Sequence, residues 1–75
     1  MEALMDIASL DRVRMSVVSD CKRLPPKSLE RIIYGRVLSY LTRARNALAA
    51  GRADLAETLA QHAVAVARGL ERINA

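Results

Sequence analysis

Tyr34 to Ile73 reads YGRVLSYLTRARNALAAGRADLAETLAQHAVAVARGLERI, and the fold turns on Gly51 in its middle. Before that glycine, Leu29, Ile33, Val37, Leu41, Ala44 and Leu48 recur at steps of three and four residues; after it, Leu55, Leu59, Ala63, Val66, Leu70 and Ile73 do the same. That period is the mark of amphipathic helices. Gly51 suits the left-handed residue that closes a helix, because glycine adopts that conformation without a Cβ clash. Asp54 and Glu57 then fall in a first turn, where carboxylates complement the helix dipole. The pattern predicts helices over about 27–50 and 53–73. A connection this short makes them antiparallel neighbours. Ala56, Ala60, Ala63 and Ala67 form a small-residue strip suited to tight packing. No third copy of the hairpin follows, so a helical repeat array is not supported.

Upstream, Leu24-Pro25-Pro26 ends whatever precedes it, since the residue before a proline is pushed out of the helical region. Pro26 fits the first turn of the next helix, where a missing N–H costs nothing. Leu10, Val13, Val17, Cys21 and Leu24 suit a first helix over about 9–23, with Ser9 as cap and Asp11 near the dipole's positive end. Arg12 to Val17 also alternate with period two, as a half-buried strand would, but a lone strand has no sheet to join. Residues 1–8 extend this helix or fray. The middle helix has a polar side (Ser28, Arg31, Gly35, Ser39, Thr42, Asn46) and an apolar side broadened by Ile32, Leu38 and Tyr40. An apolar stripe that wide usually contacts two neighbours.

Seventy-five residues make one small domain, which buries only about 60% of its unfolded surface. Cys21 is the sole cysteine, so no internal disulfide forms. Apolar residues make up 52% of the chain and aromatics 3%, so the core is aliphatic and alanine-rich. This composition favours an all-α fold. No apolar run approaches the roughly 18 residues that span a bilayer, and a membrane partner is not expected. Glu2 and Asp6 stand where a secretory leader would be basic, so a cytoplasmic location is expected. The net charge is +4, and Lys22, Arg23, Lys27, Arg31, Arg36, Arg43, Arg45 and Arg52 crowd a stretch whose only acid is Glu30. An acidic partner follows from that imbalance.

Chemistry-bearing constellations are scarce. His62 is the only histidine, and its bland reading is a partly buried seam residue. Lys22 and Arg23 would activate Cys21, yet with no base or resolving cysteine it reads as a packing residue. The arginines could face nucleic acid, but they scatter around the helix and no aromatic is placed to stack on bases. Gly35 and Gly69 sit within helices; Gly69, on the inner seam, suggests close approach of another backbone. No paired carboxylates, phosphate loop or nucleophile–base pair stands out, so the expectation is no enzyme, no cofactor and no metal.

Pro26, Leu29, Tyr34, Val37, Leu38, Leu41, Ala44, Ala47, Leu48, Ala50 and Gly51 follow an ordered pattern: a Pro-x-x-Leu entry, a tyrosine, an apolar pair, an alanine-rich stretch and an Ala-Gly turn. In this the chain resembles the N-terminal half of the flagellin-specific export chaperones over about 26–73, with Leu55, Leu59, Ala63 and Leu70 also in place. It departs from that family in placing Gly35 directly after Tyr34, followed by Arg36, and in lacking within its 75 residues the further helices that finish the family's four-helix bundle. The resemblance implies a cytosolic chaperone or adaptor that holds a helical segment of a secreted protein. The combined expectation is a non-enzymatic binding module: a three-helix chain dominated by the hairpin, completing a four-helix bundle by homodimerisation or with a partner helix. Tyr34, Val37, Leu38, Leu41, Leu55, Leu59 and Val66 would line its groove, with Arg36, Arg43 and Arg45 as steering charges. The alternatives are a small dimeric nucleic-acid-binding regulator using the basic middle helix, and an inhibitor or assembly subunit.

Overall fold

A computed structural model describes the backbone of residues 6–74 and the side chains of residues 6–69. Among them are three helices and no strand: α1 (Ile7–Lys22), α2 (Leu29–Ala49) and α3 (Ala53–Asn74). The all-α expectation holds.

α1 begins earlier than its apolar spacing suggests, because Asp6 and not Ser9 caps it. The Asp6 carboxylate accepts from the Ser9 amide at 2.7 Å, satisfying one of the donors a helix start leaves orphaned. The bond from the Ser9 amide, then that from its hydroxyl, hold the Asp6 carboxyl below its ordinary range, with a smaller contribution from Arg12. A lowered value means that the cap is intact above the ordinary carboxylate range and is lost as pH falls through the lowered one.

The proline pair does not open α2. Pro25 to Ser28 instead form a turn in which the Ser28 amide donates to the Pro25 carbonyl at 3.1 Å. Ser28 then caps α2: its hydroxyl oxygen accepts from the Arg31 amide at 3.2 Å, and its hydroxyl donates to the Pro25 carbonyl at 2.9 Å. The cap thus lies two residues past Pro26, and the prolines serve to stop α1 and aim the chain.

α2 ends as the glycine requires. Gly51 has φ +79°; its amide donates to Leu48 at 3.0 Å, and the Arg52 amide reaches back to Ala47 at 2.8 Å. This pair of bonds is the Schellman closure, which uses two carbonyls that the helix end would leave unpaired. The next bond, from Ala56 to the Arg52 carbonyl at 3.0 Å, already belongs to α3. No neighbour lies within 4 Å of a Cβ built on Gly51, so its backbone conformation alone demands glycine there. The same holds of space at Gly69 and Gly35, where nothing lies within 4 Å and φ is not positive. The close backbone approach expected at Gly69 is therefore absent.

α2 is the centre of the molecule. Both α1 and α3 pack on it, whereas among the described residues no Cα of α1 lies within 8 Å of one of α3. The width of the α2 apolar stripe is thus used on two sides, as its sequence suggests. The core comprises Leu10 from α1, Val37, Leu41, Ala44 and Ala47 from α2, and Ala56, Leu59 and Ala63 from α3. Four of these eight are alanines, and none is bulkier than leucine; Ala44 and Ala56 are fully buried. Leu70 and Ile73 of the expected α3 stripe lie outside the residues whose side chains are described.

The glycines separate conformation from packing. Gly51→Ala should cost about 1–2 kcal/mol, whereas Gly35→Ala and Gly69→Ala should each gain about 0.5–1 kcal/mol by removing helix-interior glycine. In a domain of this size 1 kcal/mol moves Tm by about 4–8 °C, so thermal melts of the three variants should shift in opposite directions. At the seam, Ala44→Leu should cost about 1–3 kcal/mol by wedging α2 from α3, read as a lowered denaturation midpoint.

Candidate docking surface

The residues expected to line a groove divide three ways. Val37, Leu41 and Leu59 are buried in the chain's own core. Tyr34, Leu38 and Val66 are half-buried, and Leu55 is exposed. The apolar face that sequence periodicity presents as free is largely covered by α1 and α3.

The arginines divide as well. Arg45 does not face outward as a free steering charge: its Nε lies 3.5 Å from Asp11 on α1. Arg14 donates to the same Asp11 oxygen at 2.8 Å and, through Nε, to the Thr42 hydroxyl at 3.1 Å. Asp11, Arg14, Thr42 and Arg45 therefore clamp α1 to α2. A second polar tie lies nearer the proline turn, where Arg31 donates to the Leu24 carbonyl at 3.3 Å and Cys21 Sγ stands 4.0 Å from the Arg31 carbonyl. Thr42 and Arg31 belong to the side of α2 that reads as solvent-facing; α1 reaches these two, while Gly35, Ser39 and Asn46 of that side stay exposed. Cys21 takes its expected place as a packing residue, half-buried and free.

Arg36 and Arg43 remain outward, and neither makes an ion pair among the described residues. The Arg43 guanidinium lies 5.7 Å from the Tyr40 ring centre. His62 of α3 meets the same ring edge-on, with ring centres 5.4 Å apart. His62 is exposed, not buried at the seam, and with Tyr40 and Arg43 it makes a small stack across the α2–α3 boundary.

Several apolar side chains stay outside, most of them not among the expected groove residues. Leu29 is 55% exposed and Ile32 53%, both on α2, while Met15 on α1 is 70% exposed. Val13, Leu55 and Val64 are also exposed. Leu29 and Ile32 belong to the broad α2 stripe, near the start of the helix. Met15 shares a shallow open depression with Asp11, Arg14, Arg45 and Asn46. Among the described residues no three His, Cys, Asp or Glu gather as metal ligands, and no helix is long and apolar enough to cross a membrane.

The chain matches no protein-family model, no curated protein and no solved structure. Its function is thus argued from this surface.

Leu41→Asp should unfold the chain and not merely block docking, because it places a carboxylate in the core; a loss of at least about 3 kcal/mol is expected in chemical denaturation. Asp11→Ala should be far milder. Its partners are partly exposed, so the cost should stay under about 1 kcal/mol. That cost should largely vanish near 1 M salt, where the screening length is about 3 Å.

Proposed function

We propose that this chain is a non-enzymatic helical protein-binding module, of the export-chaperone or adaptor kind that the hairpin resembles. The observation that carries the reading is the open arrangement of the helices. α1 and α3 both lean on α2 without approaching each other, and each keeps a large apolar side chain exposed, Val13 on α1 and Val64 on α3. Neighbouring helices in a closed bundle pack with axes about 8–10 Å apart, so a pair that stays out of contact leaves a position beside α2 for a further helix. A helix from a second copy, or from a partner, taking that position would complete a four-helix arrangement. In the absence of Phe and Trp, such added apolar area is a plausible physical source of further stability for so small a core.

The hairpin supports the export-chaperone comparison at one further point. Its Ala50-Gly51 turn, the Ala-Gly turn of that family's pattern, joins two helices of nearly equal length, 21 and 22 residues. Binding a helical segment of another protein is the activity that follows.

Sedimentation of the purified chain at micromolar concentration tests the completed bundle. A mass of twice 8.2 kDa that reverts to the monomer in a Val13→Asp, Val64→Asp double variant is the expected result. A folded monomer at all concentrations that also binds no helical peptide would remove the module reading.

A further inference from the structure

We infer that the outward stripe of α2 is a docking seam for an acidic amphipathic helix of another protein; this rests on the binding-module reading and names its partner class. The stripe consists of Leu29, Ile32, Arg36, Ser39, Arg43 and Asn46, and every one of these side chains is exposed. Their steps of three, four, three, four and three residues are those of a coiled-coil seam, the spacing that keeps one face of a helix against a second helix.

The chemistry along the seam changes with position. Its first heptad is apolar, with Leu29 and Ile32 each more than half exposed. The next two heptads each open with an arginine, Arg36 and Arg43, two helical turns or about 10.5 Å apart. The stripe contains no acid, and Asp11, the carboxylate in the depression at its Asn46 end, is already held by Arg14 and Arg45. A fitting helix therefore carries aliphatic side chains against Leu29 and Ile32, and Asp or Glu at two-turn spacing against the arginines. Arginine serves this purpose well, since its planar fork binds carboxylates bidentately. Tyr40 and His62 keep the Arg43 guanidinium beside the α2–α3 boundary, which limits the freedom it loses on pairing.

Two other occupants fit less well. A second copy in parallel register would set Arg36 on Arg36 and Arg43 on Arg43, and in antiparallel register would press Arg43 onto Ile32; like charges and a buried unpaired guanidinium both oppose association. Nucleic acid would satisfy the arginines but leave Leu29 and Ile32 without a role, and the aromatic on this face is already stacked within the protein.

The test uses fluorescence anisotropy with a three-heptad synthetic helical peptide, leucine at both seam positions of one end heptad and glutamate at the first seam position of the other two. The sequence-reversed peptide and lysine-for-glutamate versions accompany it. One glutamate peptide should bind the intact chain and its lysine version should not. Arg36→Glu with Arg43→Glu should weaken the glutamate peptide at least tenfold and create binding of the lysine peptide, an exchange that simple unfolding would not produce. Ile32→Ser should weaken binding without changing that charge preference. Equal binding of both peptides, an unaltered affinity in the double reversal, or no binding of any peptide would overturn the inference. So would displacement of the peptide by an equimolar random duplex DNA, or self-association lost on Ile32→Ser. Binding that shifts the amide signals of Val13 and Val64 while leaving Arg36 and Arg43 unmoved would refute this seam yet leave the module reading standing.

Discussion

The alanine seam between α2 and α3 is the contact on which the rest of the molecule depends. Ala44 and Ala47 of α2 and Ala56 and Ala63 of α3 belong to one buried cluster, and side chains this small let two helix backbones approach closely. Alanine also loses no side-chain entropy on burial and is the strongest helix former. In a core without Phe or Trp, dense packing of many small contacts replaces the large area an aromatic would bury. The seam needs its helices in fixed register, and the Schellman bonds at Leu48, Gly51 and Arg52 supply it. Turn and seam are one device, for a slipped turn would move the alanines out of the buried cluster.

α1 is held differently. It adds a single fully core residue, Leu10, and half-buried aliphatics such as Val17; much of its attachment is polar. The Asp11 carboxylate serves two arginines at once, and one of them, Arg14, continues to Thr42 on α2. Partly exposed ion pairs contribute little net free energy, so they act mainly by setting the direction in which α1 lies. The same bonds offset part of the charge that stays at the surface. Of the basic residues crowding the middle of the sequence, Arg31 and Arg45 are spent inside the fold, and only Arg36 and Arg43 look outward from the middle of α2.

That division explains how much the sequence could reveal. The hairpin was legible because two periodic runs and a glycine between them report local physics that tertiary context seldom overrides. The double contact of α2 was legible from the width of its apolar stripe. The start of α1 was not, since Asp6 and Ser9 are both good caps and only the bond between them decides. Arg31 and Thr42 read as solvent-facing because polarity shows only that a residue can be hydrated; the partners at Leu24 and Arg14 are remote in sequence or arise from packing. For the groove residues the difficulty was the reverse. Periodicity marks Val37, Leu41 and Leu59 as apolar but cannot distinguish a face buried by the chain itself from one buried by a partner.

The surface left over has the properties that rapid, selective docking needs. Leu29, Ile32, Arg36 and Arg43 stand on a helix anchored in the core by Val37, Leu41, Ala44 and Ala47, so their backbone is already ordered before any partner arrives. Association through such a rigid face loses mainly side-chain freedom, where a segment that folded on binding would lose backbone freedom as well. Unpaired arginines raise the encounter rate with an acidic partner and discourage a basic one, while the aliphatic pair supplies contact that salt does not screen. The two contributions sit at different ends of one seam. A partner satisfying only the charge, or only the apolar end, would gain part of the contact and none of the register, and in that separation lies the selectivity of an otherwise plain helix.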